Sequence, residues 1–600
     1  MPTVADFMLE RLTEWGVHRV YGYPGDGING FLGAYDRADD DPFFVQARHE
    51  EMAAFMACAH AKFTGELGVC TATSGPGAAH LINGLYDAKL DHQPVLAIVG
   101  QQKRMTVGAH YQQEVDLQTL FRDPAGFVST VMEPENARVV LDRAIKSALT
   151  ERRPAVVIVP DDVQEAEYSD PPRKHGGVFS SIGWNKPHIV PDESLIKQAA
   201  DVLNAGERVA ILIGQGAAKA SRQVERAADL LGAGVAKALL GKDALPDTLP
   251  FVTGGIGLLG TEPSHKMVMG CDTLFMIGTS FPYAEWLPPE GQAKCVEIDI
   301  DGKMIGVRYP NDVSLVGDAA DTLDALLPLL EHKEDRSWRR SIEEEVATWW
   351  RVLDDRAHQS ADPVNPQLVF HEFDSRAPGN MITTSDSGSA TNWWARHVHA
   401  REGQQFSLSG TLATMLPGVP YAIGAKFAYP DRPVIAFAGD GAFSMLGMNE
   451  LLTVKRYQEQ LTAQNPTLVF AVLVNEDLNQ VSFEQRALGG DPINEATQKV
   501  PYVPAAEFAK LLGFEGIKVE RPEDVGPAWD RALAADGPVV LEFVTDPTVP
   551  PLPPHVKPEQ LKKTTKAVLS GDPEGVQLAT KGVKGKLAEV KEHVPGLRGS

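Results

Sequence analysis

The run Pro433-Val434-Ile435-Ala436-Phe437-Ala438 is apolar throughout and halts at Gly439-Asp440-Gly441, after which Ala442-Phe443-Ser444-Met445 resumes as a helix. A short, continuously apolar run bounded by Pro and Gly predicts a strand buried on both faces of a parallel sheet. The two glycines let backbone N–H groups approach a ligand closely, and the helix start behind them favours negative charge, so the loop suits a diphosphate. An Asp between them is compatible with a diphosphate only through a divalent cation, and Mg²⁺ takes carboxylate, carbonyl and phosphate oxygens in octahedral geometry. A Gly-Asp-Gly alone is equally a tight turn with a capping Asp. The functional reading gains weight from a second run, Leu468-Val469-Phe470-Ala471-Val472-Leu473-Val474, which ends in Asn475. Ligands of parallel sheets bind at the carboxyl ends of strands, so Asp440, Asn475 and the backbone carbonyl of Asp477 form a candidate metal-ligand set.

Six hundred residues predict three or four domains at about 150 residues each. A formal charge of −24 excludes the basic footprint of a nucleic-acid binder. Cys58, Cys70, Cys271 and Cys295 lack metal-ligand spacing and read as buried thiols in a reducing compartment. The N-terminus has no basic-then-apolar signal, and no run is long and apolar enough to span a bilayer, so a cytoplasmic location is expected.

Strand-like and helix-like runs alternate along most of the chain, which predicts α/β architecture with parallel sheets. Val20-Tyr21-Gly22-Tyr23-Pro24-Gly25 is a strand breaking into a Pro-Gly loop, and Phe43 to Ala47 delivers Arg48-His49-Glu50 to the start of an Ala- and Met-rich helix. Gly68 to Thr73 opens into Ser74-Gly75-Pro76-Gly77, and Pro94 to Val99 follows. A segment rich in Pro and Gly, Glu165 to Val190, reads as a linker. Beyond it, Val209 to Gly216, Thr253 to Gly257, Leu274 to Phe281, Val296 to Asp301 and Val313 to Gly317 form a second α/β unit. Gly214-Gln215-Gly216 lacks the third glycine of a dinucleotide fingerprint and is weak by itself. A third unit begins near residue 360, with Met381 to Asp386 leading into Ser387-Gly388-Ser389.

Gly-Asp-Gly closing on an Asn resembles the thiamine diphosphate motif. Two departures stand out: Val474 occupies the place of the usual first Asn of a pair, and the 35 positions from Asp440 to Asn475 exceed the usual gap. The polar stretch Tyr457 to Pro466 reads as the insert, a surface excursion between helix and strand. Arg48-His49-Glu50, Thr73-Ser74-Gly75-Pro76-Gly77 and Pro94-Val95-Leu96-Ala97-Ile98 stand in the order of the pyrimidine-binding domain in thiamine diphosphate enzymes of the pyruvate oxidase and acetolactate synthase group. The nearest approach is to the pyruvate oxidases, on His80 to Ala88, Asp91 to Ala97, Gly278 to Tyr283 and Gly441 to Leu446.

The resemblance implies three parallel-sheet α/β domains plus an irregular C-terminal tail: a pyrimidine-binding domain (1–165), a linker (166–190), a middle domain (191–335), a diphosphate-binding domain (336–545) and the tail (546–600). It implies thiamine diphosphate and Mg²⁺ as cofactors, with Glu50 hydrogen-bonding the aminopyrimidine; a first-turn acid favoured by the helix dipole is the bland alternative. It places Pro24, Gly25, Thr73, Gly388, Ser389, Gly439, Gly441, Ala442 and Phe443 at the cofactor. Met415 falls where the family sets an apolar wedge beneath it, a core methionine being the alternative. Gln113, His80 and Glu484 are expected to handle protons, although an exposed first-turn Glu484 is an adequate bland reading. FAD is implied for the middle domain, at Gly214, Gly216, Thr253, Gly254, Asp299 and Asp318; other relatives carry that domain without using it. Gln112 and Gln480 stand where the oxidases carry Phe, which makes the substrate space more polar.

The implied reaction is decarboxylation of a small 2-oxo acid, pyruvate being the expected substrate, with oxidation by FAD. A non-oxidative carboligase or decarboxylase of the acetolactate synthase type is the alternative, and a catalytically silent scaffold is a third. Glu50 and Asp440 fall in different domains, so a site shared between copies is expected in a homodimer or homotetramer. Quinone-linked pyruvate oxidases dock on membranes through a C-terminal segment. The stretch Lys584 to Val594 offers a weak helix with a thin apolar face of Val583, Leu587, Val590 and Val594, so peripheral membrane contact is the minor reading.

Overall fold

The computed structural model describes residues 1–593. It contains three six-stranded sheets, each wholly parallel. The first holds β1 (Arg19–Gly22), β2 (Phe43–Gln46), β3 (Gly68–Ala72), β4 (Val95–Gln101), β5 (Phe127–Thr130) and β6 (Ala155–Pro160), in the order β2-β1-β3-β4-β6-β5. The second holds β7 (Val209–Ile213), β8 (Gly234–Lys237), β9 (Val252–Gly255), β10 (Thr273–Ile277), β11 (Lys294–Asp299) and β12 (Val313–Val316), ordered β12-β11-β10-β7-β8-β9. The third holds β13 (Ile382–Ser385), β14 (Gln405–Leu408), β15 (Val434–Gly439), β16 (Leu468–Val474), β17 (Glu515–Val519) and β18 (Val539–Val544), ordered β14-β13-β15-β16-β18-β17. The central strands β4 and β16 are buried at every residue, as strands covered by helices on both faces must be.

The first and third sheets share one topology, strand for strand. In each the order reverses between the first and third strands of the set, β1 and β3 or β13 and β15. That reversal opens the crevice in which parallel sheets take ligands. The middle sheet, read from β9, runs 3-2-1-4-5-6, the order of dinucleotide-binding folds, with its reversal between β7 and β10.

One hydrophobic core runs through the first and third units, from Tyr21 and Phe55 to Tyr421, Phe443 and Val540. Helix Glu50–Thr64 lies at its centre, against Ile82–Leu90 on one side and Gly418–Ala428 on the other. Glycines permit the approach: a Cβ on Gly84 would sit 2.5 Å from that of Ala54, and one on Gly424 would sit 2.8 Å from the Met56 carbonyl oxygen. The buried charges of Lys62 and Asp91 in this core are paired. Lys62 meets Asp91 at 2.7 Å, and Asp91 accepts from the Gly410 and Thr411 N–H groups, both at 2.8 Å.

Three expectations change. The tail is irregular only through its proline-rich part; it then forms helices Pro558–Leu569 and Gly575–His593. The second packs on the long helix Ser337–Ala357, where Arg356 donates to the Gly585 carbonyl at 3.1 Å and pairs with Glu589 at 2.7 Å. The helix begins well before Lys584, and Val594 lies outside the described residues. The insert is no free excursion either: Gln458–Thr462 is a helical turn, Leu461 is buried, and the Tyr457 hydroxyl accepts from Gln46 N–H at 2.8 Å. Glu484 ends its helix, Asn479–Glu484, rather than opening it. Among the described residues no helix is long and apolar enough to cross a membrane.

Candidate active site

The third sheet supplies one half of the site at its carboxyl edge. Asp440 follows β15 and is 2 % exposed. Its carboxylate accepts from three backbone N–H groups, Gly441 at 2.8 Å, Asn475 at 2.9 Å and Glu476 at 2.7 Å. These donors are neutral and do not offset burial, which pushes the Asp440 pKa up to about 6. A buried carboxylate held only by neutral donors fits a cation. Two more oxygens stand close in sequence: Asn475 Oδ1 accepts from Asp477 N–H at 3.1 Å, and the Asp477 carbonyl accepts from Asn479 N–H at 2.7 Å. Each retains a lone pair, and an all-oxygen set suits Mg²⁺.

The space beside this set is open where a diphosphate fits. A Cβ on Gly439 or on Gly388 would meet nothing within 4 Å. Gly388 has φ +146°, a conformation L side chains rarely adopt, and Ser389 opens helix Ser389–His397 directly behind it. Met415 packs over Gly441, its Cε 3.4 Å from a Cβ built there, while Ala442 and Phe443 are buried beneath. The helices leaving the Gly439–Gly441 loop and the Asn475–Asp477 loop carry π-helical turns, Phe443–Gly447 and Gln485–Gly489, a feature frequent at functional sites.

The first sheet supplies the other half, also at its reversal point. Pro24 and Gly25 follow β1, and Gly25 packs on Thr73 after β3; the Thr73 hydroxyl accepts from Gly27 N–H at 2.9 Å. Glu50 begins its helix after β2 and is 7 % exposed. Its Oε2 lies 2.9 Å from His80 Nδ1, and the His80 ring stacks on His49 with centroids 4.3 Å apart. Gly77 underlies the pair: a Cβ there would sit 3.0 Å from Glu50 Oε1. Gln113 joins the group, accepting from the Ser74 hydroxyl at 3.1 Å. Gln113, Ala413, Leu416 and Glu476 all have left-handed φ, between 52° and 89°. Non-glycine residues in that region are costly, and they cluster at sites whose surroundings hold them. The hydrogen-bond partner of the Glu50 side chain comes from the first unit and those of Asp440 from the third.

The comparisons agree with this division. Residues 2–120 match "Thiamine pyrophosphate enzyme, N-terminal TPP binding domain", residues 196–326 the central domain and residues 386–543 the C-terminal TPP binding domain. A protein of Bacillus subtilis (strain 168) named "Putative thiamine pyrophosphate-containing protein YdaP" is 36% identical over 94% of this chain and 96% of its own. The chain belongs to the thiamine pyrophosphate enzyme family. The pyruvate oxidase of Lactiplantibacillus plantarum is 29% identical over 90% of this chain and 87% of its own. The acetolactate synthase isozyme 2 large subunit of Escherichia coli (strain K12) is 30% identical over 91% and 97%. The protein is thus a thiamine pyrophosphate-dependent enzyme of the group that contains both.

In this thiamine pyrophosphate enzyme Gln112 and Gln480 put polar groups beside the two halves. Gln480 accepts from Asn392 Nδ2 at 2.8 Å and donates to Glu484 at 2.9 Å, and Gln112 is exposed. Asn392 and His49 carried no assigned role in the sequence; His49 stood inside a recognised motif, whereas nothing local marked Asn392, which meets Gln480 only through the fold. Buried Asp386, after β13, was legible only as the end of a strand. It accepts from Gly418 N–H at 2.7 Å, and burial pushes its pKa up to about 7.

The middle-domain candidates lie along one sheet edge with partners inside the protein. A Cβ on Gly214 would sit 2.5 Å from the Gly278 carbonyl, and one on Gly216 would sit 2.7 Å from Gly278 Cα, so β7 and β10 close on each other at the reversal point. The Thr253 hydroxyl bonds Ser264 at 2.7 Å, and Gly254, inside β9, has φ +93° beside a register shift against β8. Asp299 accepts from Asp301 N–H at 2.8 Å. Asp318 caps helix Ala319–Leu326 and pairs with Lys186 at 2.6 Å.

Proposed function

We propose that the protein decarboxylates a small 2-oxo acid, pyruvate in the first instance, and passes the two electrons left on the remaining fragment to FAD, giving acetate or an acyl product, as a pyruvate oxidase does. The observation that carries the oxidative reading is the 3-2-1-4-5-6 order of the middle sheet, whose reversal point suits a dinucleotide. Thiamine diphosphate supplies the electron sink that lets a 2-oxo acid lose CO₂, and FAD supplies a two-electron acceptor.

The chain's own residues divide the remaining work. Asp440, Asn475 and the Asp477 carbonyl would hold Mg²⁺, with Gly388, Ser389 and Gly439 to Phe443 around the diphosphate. Met415, packed on Gly441, would support the cofactor from below. Glu50 Oε2 lies 2.9 Å from His80 Nδ1, close enough for a proton to pass between the two side chains. Gln113 and Glu484 are the further polar groups for the reacting end of the substrate. Glu50 of one copy and Asp440 of another would complete each site in a homodimer or homotetramer.

A non-oxidative carboligase or decarboxylase is the second reading, favoured by one observation: Gly214 and Gly216 are filled by Gly278 rather than left open. The visible spectrum of the protein, purified and supplied with thiamine diphosphate, Mg²⁺ and FAD, separates the two. A flavin band that bleaches on anaerobic addition of pyruvate is the expected result. A protein that binds no flavin but consumes pyruvate would move the assignment to the second reading.

A further inference from the structure

Away from these loops, where the long helix Ser337–Ala357 hands the chain to the third domain, three ligand-type side chains converge. Asp354 and His358 stand four residues apart at the helix's end, and so share a face. His371 comes from the next helix, Pro366–Asp374. Asp354 Oδ1 lies 3.4 Å from His358 Nδ1 and 3.3 Å from His371 Nε2, and one ligand atom from each of the three falls within 4.8 Å of the others.

The spacing is informative. Charge-assisted N–H···O bonds run about 2.7–2.9 Å, and both contacts are longer. A tetrahedral ion with metal–ligand bonds of about 2.0–2.1 Å has edges of roughly 3.3–3.4 Å, and both contacts match. The two imidazole rings are turned 77° to each other with centroids 5.0 Å apart, so neither is stacked away from the shared carboxylate. Side-chain exposures of 57 %, 54 % and 35 % for Asp354, His358 and His371 leave a route for an ion and a position for water. None of the three belongs to the cofactor or substrate loops.

We propose that Asp354, His358 and His371 bind one divalent transition-metal ion, Zn²⁺ by geometry and ligand type, which clamps the connecting helix to the third domain. Two nitrogens and one carboxylate select a borderline cation over Mg²⁺ or Ca²⁺, which take oxygen sets. His358 Nδ1 also lies 2.9 Å from the Asp354 backbone carbonyl. Binding through Nδ1 exchanges that contact for the metal and leaves the ring proton on Nε2.

The test uses the full chain, stripped by chelator and reloaded with thiamine diphosphate and Mg²⁺ so that the Asp440 site is occupied. Co²⁺ is the probe, because its visible bands report tetrahedral coordination. The expected result is one saturable equivalent with tetrahedral bands that Zn²⁺ displaces. His371→Ala and His358→Ala should each weaken binding by at least about tenfold, the lower bound for losing even a supporting group. His80→Ala, which disrupts the cluster of His49, Glu50 and His80, should leave the bands unchanged. Zn²⁺ should also raise the thermal midpoint of the wild type and not that of His371→Ala. Octahedral Co²⁺ alone, no saturable binding, or bands that persist in both His358→Ala and His371→Ala would overturn the assignment.

Discussion

Glu50 is held at a helix start, nearly buried, against His80 and above Gly77. Glu50→Gln keeps the shape and removes the carboxyl group that can take up and give up a proton. If Glu50 moves protons, turnover falls by about 10²–10⁴-fold while cofactor affinity, read by tryptophan fluorescence quenching, changes little. Unchanged turnover would remove Glu50 from the chemistry. Glu450 tests a different physical effect. It is fully buried, accepts from Arg48 N–H at 2.8 Å and from the Thr453 hydroxyl at 2.7 Å, and burial pushes its pKa up to about 7. An acid whose pKa rises on folding binds its proton more tightly in the folded chain. Its contribution is therefore full below the unfolded value near 4.5 and drains as pH climbs through about 7. Glu450→Gln mimics the protonated form, so it should stabilise the protein relative to wild type at pH 8 by up to about 3 kcal/mol. The difference should vanish near pH 4.5. A pH-independent difference in denaturation midpoint would contradict this.

Among the elements, the tail illustrates how far a local reading extends. Its proline-rich part carries no helix, but helix Pro558–Leu569 itself begins with a proline, at a position where a missing N–H is harmless. Its docking depends on Arg486, 1 % exposed, which pairs with Asp572 at 2.8 Å and Glu574 at 2.9 Å. Nothing near residue 486 in the chain announces partners near residue 572. Asp572→Asn leaves a buried guanidinium short of a partner and should destabilise by about 3–5 kcal/mol, seen in denaturant unfolding and in faster proteolysis within the tail. The double change Arg486→Met with Asp572→Leu should recover most of that loss. Strand–glycine–helix units were legible because each is a local pattern: an apolar run, a loop with glycines, a helix start. Glu50, Asp440 and Asn475 were legible because they end such units. Asn392 facing Gln480, Gly278 filling the space beside Gly214, and the order of the middle sheet are relations between distant units, and no window of sequence contains them.

At the scale of the whole molecule, the two half-sites lie in sheets of identical topology, each at its reversal point. The loops around both carry exposed apolar side chains: Tyr23, Met105 and Tyr111 beside the first half, Met445, Val481 and Leu488 beside the second. Apolar groups gathered around a site mark a surface that another surface covers. A second copy related by a two-fold axis would lay the first half of one chain on the second half of the other, twice over. Mixed dimers decide whether this is so. On that arrangement Glu50→Gln and Asp440→Asn should each inactivate every site of their own homodimer. In a dimer carrying one subunit of each kind, a shared site receives both altered residues or neither, so one of its two sites is intact. Co-refolding equal amounts should then restore roughly a quarter of wild-type activity, since half the dimers are mixed and half of their sites are whole. A site built within one chain predicts no recovery, because every chain then carries a defect of its own. Recovery that is lost on dilution, together with dissociation seen by light scattering, would tie catalysis to the paired copies.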